Sequence, residues 1–482
     1  MLVRRKFSRF TYLIFIYWSL GLVKVLPVFP QEPFLENVQQ KIIAELTAYQ
    51  TRHKLTSLSF SVFMGPENGF DYADGYADIE NKIPATPNHI YTLASVTKSI
   101  TGAVLIDLVY QNFLSLSDSV YKYLEGFPKN VTVLDLMDHT SGFVREKENE
   151  NYLKNSSYRD VVNHLPYQFK RKLHRYANFN YAVIGALIEK VTGRPFAEVA
   201  DAYYYRITNE HLYFSNRHGN NGQALLVKNY VRRGRRQYLH QPVNFGMWEP
   251  AALAQTSAPA LVKFLRYHMQ AEFIDFLSRH AVPTRQRFFQ DGQIIKDRYA
   301  FGYRLRYVDD ELLYIYHDGF LYGVLSTLYY FPKKDAGFVV LSNMSYYPVN
   351  RVNLGELSEI VERVIDEEFN RDIVEYTAKH GHLEGLVYYE TNHYQGQLIE
   401  SLLNEFGQTC LEEKKYSEAI NVFKFTNHQF PNSAATYENL GKAYLDSGYR
   451  ELAVAALQKG LALRPDSVTS KKLIQKLTAG GR

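Results

Sequence analysis

The carboxyl-terminal part of the chain repeats a pattern of small and apolar residues every 34 residues, and this repeat limits its fold more than any other feature does. Gly407 and Gly441 hold the central small position of the two copies. The matching positions are, in the first copy and then in the second, Leu403, Phe406, Cys410, Ala419, Phe423 and Pro431, and Tyr437, Leu440, Tyr444, Ala453, Leu457 and Pro465. Small residues let two helices approach closely, and a proline ends the second helix. The pattern therefore predicts helical hairpins from about residue 395 onward.

This spacing resembles that of the tetratricopeptide repeat, a helix–turn–helix unit. Gly385 and Tyr389 fall one period earlier and indicate a degenerate third unit. Because about three units are needed to bury a continuous core, the two copies must pack on the preceding domain, on a partner, or on a capping helix near residues 470–477. We expect the tail to be a surface for a protein partner or for self-association.

The first 30 residues have the pattern of an export signal. An apolar run from residue 10 to residue 23 follows four basic residues, namely Arg4, Arg5, Lys6 and Arg9. The run is shorter than the roughly 20 residues that span a bilayer, and neither a small-residue cleavage site nor a cysteine for lipid attachment follows it. We expect a cleaved signal peptide or an uncleaved membrane anchor, with a buried amino-terminal helix as the alternative. The first two interpretations place the protein in the periplasm or at the membrane facing it.

The middle of the chain alternates strand and helix patterns, which predicts an α+β domain. Residues 57–63 and 70–77 are typical of paired strands, and residues 325–331 and 338–343 are typical of a β-hairpin. Residues 95–111 show an apolar helical pattern. Because strands stand at both ends of the segment and helices between them, we expect one antiparallel sheet built from both ends and flanked by helices.

These patterns divide the chain into the signal or anchor (residues 1–30), the α+β domain (31–368), a linker or degenerate repeat (369–395) and the repeats (396–482). With 46% hydrophobic and 22% charged residues, a mostly disordered chain is excluded. A net charge of only +5 over 482 residues disfavours a nucleic-acid binder, and a single cysteine excludes an intrachain disulfide.

Three short motifs carry candidate chemistry, and the first runs from Ser95 to Lys98 at the start of the apolar helix. Residues three apart share a helix face, so the Lys98 amine can contact the Ser95 hydroxyl and take its proton. Free backbone N–H groups at a helix start also suit a developing oxyanion. A second Ser-x-x-Lys, at Ser119 and Lys122, follows a loop-like stretch and lacks this context. Taken alone, a serine in this position is more often a helix cap.

The second motif joins Tyr176 to Asn178. A tyrosine whose proton is withdrawn by a nearby lysine ammonium can act as a general base. The Asn178 amide can hold both the lysine and a substrate carbonyl. Tyr-x-Asn occurs elsewhere in the chain, so the motif has little specificity alone.

The third motif joins His317 to Gly319, just ahead of the expected hairpin. On an expected edge strand, the glycine lets a substrate approach the backbone and the histidine offers a hydrogen-bond donor. The backbone N–H groups of Phe320 and Ser95 are expected to form an oxyanion hole. Taken alone, His317 is explained as a surface histidine at a strand end.

In this order and at these separations, the three motifs resemble those of the class C β-lactamase-like serine hydrolases, a superfamily of β-lactamases, D,D-carboxypeptidases, D-aminopeptidases and esterases. Residues 92–101, 133–142 and 176–185 resemble the nucleophile helix and connecting segments of that family. The resemblance covers residues 36–365. It implies an α/β sandwich, in which an antiparallel sheet is flanked by helices, with an inserted helical subdomain and the active site between them.

The resemblance also implies an acyl-enzyme mechanism that needs no metal and no cofactor. Ser95 is then the acylated nucleophile, and Lys98 and Tyr176 share the general-base role. The residues implied to bind the substrate are Asn178, His317, Gly319 and Phe320.

The third motif departs from the Lys-Thr-Gly of true β-lactamases, whose lysine attracts a substrate carboxylate. His317 stands in its place and is expected to be mostly neutral at pH 7. This favours an esterase or a peptidase, with a β-lactamase or penicillin-binding D,D-carboxypeptidase as the alternative. A second alternative is a non-catalytic scaffold that binds through the repeat tail.

Two basic clusters lie outside the motifs. Their members are Lys170, Arg171, Lys172 and Arg175, and Arg232, Arg233, Arg235 and Arg236. Both clusters are explained as charged side chains on loops that face the solvent. The alternative is that they recruit an acidic substrate or an anionic surface such as a wall polymer or lipid headgroups.

Overall fold

The computed structural model describes residues 32–65, 68–143, 173–214, 225–240, 248–288, 293–347, 352–392 and 396–479. The expected export signal and three members of the first basic cluster, Lys170, Arg171 and Lys172, lie outside the described residues. Among the described helices, none combines the length and the apolar character that crossing a bilayer requires.

A nine-stranded antiparallel sheet forms the centre of the larger domain, which confirms the predicted α+β fold. Its strands, in spatial order, are β3 Ile83–Pro84, β2 Asn68–Asp78, β1 Ser57–Met64, β14 Ala336–Ser342, β13 Val324–Phe331, β12 Glu311–Leu321, β11 Tyr303–Val308, β10 Ile294–Ala300 and β9 Val282–Phe288. Ser59 of β1 lies opposite Leu341 of β14, so strands from the two ends of the domain meet in the middle of the sheet as predicted.

Two small sheets accompany the large one. The first consists of β4 Tyr91–Thr92, β8 Ala254–Thr256 and β5 Tyr213–Phe214. The second consists of β15 Met344–Tyr346, β6 Asn229–Arg233 and β7 Arg236–His240. In the second sheet β15 runs parallel to β6, which places the hairpin of β6 and β7 beside the end of the large sheet.

Helices cover both faces of the large sheet, which explains why β1, β13 and β14 are buried along their whole lengths. Alternate residues of β13 enter separate cores, Leu328 and Tyr330 on one face and Tyr329 and Phe331 on the other. The helices of this domain are α1 Glu32–Arg52, α2 Thr97–Tyr110, α3 Val133–Met137, α4 Asn178–Thr192, α5 Phe196–Thr208, α6 Glu249–Ala252, α7 Ala258–His268, α8 Ala271–His280 and α9 Gly355–His380. Short 3₁₀ turns occupy Ala94–Val96, Val120–Lys122 and Pro332–Lys334.

The tail is helical throughout its described residues, as predicted. Its helices are α10 His382–Asn392, α11 Glu400–Glu412, α12 Tyr416–Gln429, α13 Ala434–Asp446, α14 Arg450–Leu463 and α15 Val468–Ala479. A Cβ atom on Gly407 would stand 2.5 Å from the Phe423 ring, and one on Gly441 would stand 2.6 Å from Leu457. The repeated small residues therefore let the two helices of each hairpin pack closely.

The tail packs on the preceding domain. Helix α9 runs without interruption through residue 368, where the sequence analysis places the domain boundary. Val422 and Phe425 of the tail share a hydrophobic core with Ile365 and Phe369 of α9. At the other end Leu477 of α15 enters the core of the repeats, so α15 acts as the predicted capping helix.

Candidate active site

Ser95 lies in the short 3₁₀ turn that precedes α2, two residues before the α-helix begins. Ala94 has φ +46°, a left-handed conformation that is strained for a residue with a Cβ atom. Surrounding contacts hold this turn: the Leu93 N–H donates to the Ala254 carbonyl at 2.8 Å, and the Ser326 hydroxyl donates to the Leu93 carbonyl at 2.5 Å. Ser95 itself is only half-buried, so its hydroxyl is presented from a rigid support.

Lys98 is fully buried and lies between the first two motifs. Its Nζ is 3.3 Å from Ser95 Oγ, 2.7 Å from Asn178 Oδ1 and 2.8 Å from the backbone carbonyl of Ala251. An amine removed from water requires such acceptors. The structure thus brings together Ser95, Lys98 and Asn178, as the sequence predicts. The Ala251 carbonyl, on α6, was missed because a backbone acceptor carries no side-chain signal.

Tyr176 lies beside the same lysine, but contacts it through its ring. Lys98 Nζ is 4.9 Å from the centroid of the Tyr176 ring. The Tyr176 hydroxyl has no hydrogen-bond partner among the described residues. It is therefore free to bind a reacting group, and its role as a general base stays a prediction.

His317 occupies an interior position that corrects two expectations. Strand β12 lies between β11 and β13 rather than at a sheet edge, and the His317 side chain is buried rather than at the surface. Its Nδ1 is 2.8 Å from the Asp318 carbonyl, and since a carbonyl can only accept, Nδ1 carries the proton. Burial, together with the charge of Arg304, holds the pKa of His317 well below its usual value.

The neutral imidazole therefore presents Nε2 as an acceptor, and not as the expected donor. Among the described residues Nε2 has no hydrogen-bond partner. The ring centroid of His317 is 6.2 Å from that of Tyr176, so this acceptor lies in the same part of the site. A substrate N–H or O–H group is the partner that its chemistry suits.

Gly319 brings β12 against the turn that carries Ser95. A Cβ atom at this position would stand 2.5 Å from the Leu93 carbonyl oxygen and 3.0 Å from Ala94 Cβ, and it would also overlap Ser326 Oγ. Only glycine permits this approach. Phe320, the next residue, consequently lies beside the Ser95 turn, and the oxyanion hole formed by the two backbone N–H groups stays a prediction.

His139 supports the second motif and was not singled out by the sequence analysis. It is fully buried with φ +58°. Its Nδ1 accepts from the Ala177 N–H at 3.3 Å and lies 2.9 Å from Asn180 Nδ2, while its carbonyl accepts from the Arg175 N–H at 2.7 Å. These bonds fix the backbone on both sides of Tyr176. The residue lies in the 133–142 segment that resembles the family, but its role depends on contacts across the fold.

Arg304, on β11, was also missed. Its Cζ lies 5.5 Å from the centroid of the Tyr176 ring and 5.9 Å from that of the Tyr299 ring. It forms no ion pair with any residue in the described ranges, and it is only half-buried. The site therefore holds a positive charge beside neutral His317, although the motif lysine is absent. Nothing in the sequence around Arg304 distinguishes it from other arginines on strands.

The sheet with helices on both faces and the buried lysine between Ser95 and Asn178 agree with the β-lactamase-like arrangement that the motifs resemble. Comparison with family models agrees: the chain belongs to the beta-lactamase family, whose model matches residues 40–361. A tetratricopeptide repeat model matches residues 434–467, which confirms the second predicted hairpin as a repeat of that kind.

The chain is similar to several known proteins. It is 24% identical over 351 residues to Protein flp of Staphylococcus aureus, covering 69% of this chain and 62% of that protein. It is 34% identical over 136 residues to the teichoic acid D-alanine hydrolase of S. aureus, covering 28% of this chain and 34% of that protein. The D-amino acid amidase of Ochrobactrum anthropi superposes with a TM-score of 0.57 at 19% identity, covering 70% of this chain and 99% of that one. The chain thus matches less than two thirds of the length of Protein flp.

Proposed function

We propose that the protein is a hydrolase that forms an acyl-enzyme on Ser95 and cleaves an ester or an amide. The observation that carries this proposal is the environment of Lys98. The form of Lys98 that can accept a proton has two N–H groups and one lone pair on Nζ. The Asn178 and Ala251 oxygens, at 2.7 and 2.8 Å, can accept both N–H groups, which leaves the lone pair for the Ser95 hydroxyl at 3.3 Å.

The reaction then follows in two balanced steps. Ser95 Oγ attacks the substrate carbonyl carbon as its proton passes to Lys98, and the proton goes on to the leaving alcohol or amine, with the free Tyr176 hydroxyl as the relay. The backbone N–H groups of Ser95 and Phe320 stabilise the oxyanion. Water then attacks the acyl carbon, the bond between that carbon and Ser95 Oγ breaks, one water proton passes to Oγ, and the carboxylic acid leaves.

Arg304 supports a substrate that carries a carboxylate or another anion near the scissile bond. A guanidinium without an ion pair in a partly enclosed site favours an anionic partner. Two similar proteins, a teichoic acid D-alanine hydrolase and a D-amino acid amidase, support an ester or amide of an amino acid as the substrate. The same cation also suits the carboxylate of a β-lactam, which keeps β-lactamase or penicillin-binding activity as the second candidate.

The test is intact-mass analysis after incubation with a fluorophosphonate probe. We expect one adduct on the wild type and none on Ser95→Ala. The matched control is Ser119→Ala, because Ser119 begins the other Ser-x-x-Lys but Lys122 there pairs with Asp118 at 3.2 Å. Failure of the folded wild type to form an adduct would contradict the proposal.

Substrate choice is tested separately. With Arg304→Gln we expect the KM for an anionic ester to rise about ten-fold while that for a neutral ester stays within two-fold. Arg298→Gln, on the neighbouring strand β10, is the control. Nitrocefin turnover as fast as that of the esters would favour the second candidate.

Two further proposals concern the rest of the chain. The amino-terminal pattern supports export to the periplasm, which fractionation of cells expressing the full chain tests. The repeats support binding of a protein partner or self-association. Light scattering of the full chain at increasing concentration tests self-association.

A further inference from the structure

A patch of arginines and tyrosines adjoins the candidate active site at one end of the large sheet. We call it the cation–aromatic patch, and it consists of Arg233, Arg235, Arg236, Tyr322 and Tyr347. Arg233 Cζ lies 4.2 Å from the centroid of the Tyr347 ring. The Tyr347 ring stacks on that of Tyr322, with centroids 5.8 Å apart. These contacts make the residues from three separate segments one continuous surface.

The charges of the patch are not neutralised within the described part of the chain. Arg233, Arg235 and Arg236 are exposed and form no ion pair with described residues. Arg232 differs, because it donates to Gln237 Oε1 at 2.9 Å and to the Lys54 carbonyl at 3.5 Å. Tyr322 and Tyr347 remain 38% and 45% exposed, large fractions for stacked aromatic rings. Three guanidinium groups without an ion pair, beside two partly exposed rings, favour a ligand with several negative charges.

The patch lies close to the reacting centre along the backbone of β12. Tyr322 follows β12 and is three residues beyond Gly319, a distance of about 10 Å along an extended chain. The turn after Tyr322 is fixed, because the Gly323 N–H donates to Ser345 Oγ at 2.7 Å and a Cβ atom there would stand 2.7 Å from Asn229 Cβ. The backbone from Gly319 to Tyr322 therefore connects the two regions: Gly319 lies against the Ser95 turn, and Tyr322 belongs to the patch.

We propose that the cation–aromatic patch is a remote subsite for an anionic polymer chain, of the polyol-phosphate or sugar-phosphate class, that bears the ester or amide on which Ser95 acts. The position of the reacting group rests on the proposed function, whereas binding of the anionic polymer does not. The arginines bind successive phosphates, and the tyrosine rings stack on the carbon faces between them. Tyr347 also holds the Arg233 guanidinium in place before the ligand arrives.

An anionic polymer fits these observations better than a membrane surface does. Docking on a bilayer requires apolar side chains that enter the acyl region. The tyrosines of the patch lie against each other and against Arg233, and the exposed aliphatic side chain described on this hairpin is Leu239. The short separation along β12 lets one polymer molecule contact the patch and present a reacting group to Ser95.

The experiment measures fluorescence anisotropy of a fluorescein-labelled glycerol-phosphate decamer with the full chain at low salt. We expect binding that weakens as sodium chloride is added. The triple variant Arg233→Gln/Arg235→Gln/Arg236→Gln should bind about ten-fold more weakly. The charge-matched control, Lys471→Gln/Lys472→Gln/Lys476→Gln on α15, should bind within two-fold of wild type. Circular dichroism confirms that both variants are folded.

Two substitutions of Tyr347 test the contribution of the aromatic rings to binding. Tyr347→Ala should weaken binding about two- to five-fold, because the ring that holds Arg233 is lost, and Tyr347→Phe should restore it. Equal binding by the triple variant and the wild type would overturn the proposal, as would an equal loss in the lysine control. Binding to phosphatidylglycerol vesicles without binding to the decamer would also overturn it, in favour of a membrane surface.

Ser95→Ala separates this proposal from that of the hydrolase. We expect this variant to bind the decamer as the wild type does. Absence of a fluorophosphonate adduct together with patch-dependent binding would contradict the hydrolase alone. An adduct on Ser95 without decamer binding would contradict the subsite alone.

Discussion

Gly319 sets the distance between β12 and the turn that carries Ser95, so Gly319→Ala tests the geometry of the site. The added Cβ atom would lie 2.5 Å from the Leu93 carbonyl oxygen. A close carbon–oxygen contact in proteins is about 3.3 Å, so strand and turn must separate by about 0.8 Å. A misplacement of about 1 Å at a reacting centre costs on the order of 10²-fold in rate. We expect the rate of fluorophosphonate labelling to fall by that factor.

The same overlap also lowers stability, because added volume in a packed interior costs about 1–3 kcal/mol. Labelling rates are therefore measured below the unfolding transition, with circular dichroism confirming the folded state. Gly355→Ala, at the start of α9, is the control, since a Cβ atom there meets only Asn353 Oδ1, at 3.2 Å. If folded Gly319→Ala were labelled within three-fold of the wild-type rate, the close approach of β12 would not be what positions Ser95.

Three other changes test different parts of the molecule. Lys98→Met removes the proton acceptor and should slow labelling of Ser95 about 10²- to 10⁴-fold; a loss under ten-fold would argue against Lys98 as the base. Burial and the charge of Asp135 raise the pKa of Asp138 to about 8. Because the carboxyl group is protonated more readily in the folded state, the free energy of unfolding of the wild type decreases as the pH rises from about 4 to about 8. Asp138→Asn lacks this loss, and its melting temperature relative to wild type should increase across that range; a constant difference would contradict the raised pKa. In the tail, Gly407→Ala places a methyl group 2.5 Å from the Phe423 ring and should lower the free energy of unfolding by about 1–3 kcal/mol, as measured by denaturant titration.

The structure also bears on how the two parts of the chain are related. Because α9 is continuous and contributes to the core that contains Val422 and Phe425, the first repeat is attached to the β-lactamase-like domain through packed side chains. The first repeat and the end of the larger domain thus share one hydrophobic core.

Local patterns were sufficient to predict the principal motifs, strands β1, β2, β13 and β14, helix α2 and the helical hairpins of the tail. Alternating and continuous apolar runs predict strands such as β1 and β13, because burial on a pleated strand has a period of two residues. The repeated glycines at 407 and 441 predict helical hairpins, because helices in close contact exclude larger side chains there. The Ser95–Lys98 spacing predicts their contact, because three residues bring two side chains to one side of a helical turn.

Contacts between distant segments were decided by the tertiary structure alone. The Ala251 carbonyl reaches Lys98 across 153 residues, and no local pattern specifies which backbone oxygen will face a buried amine. Arg304 joins the site because β11 lies next to β12, and His139 supports Tyr176 because two loops meet. His317 was recognised from its motif, but its neutral state and its acceptor nitrogen follow from burial beside Arg304 and from the hydrogen bond of Nδ1 to the Asp318 carbonyl. The sequence determined which groups are present, and packing determined their protonation states and their partners.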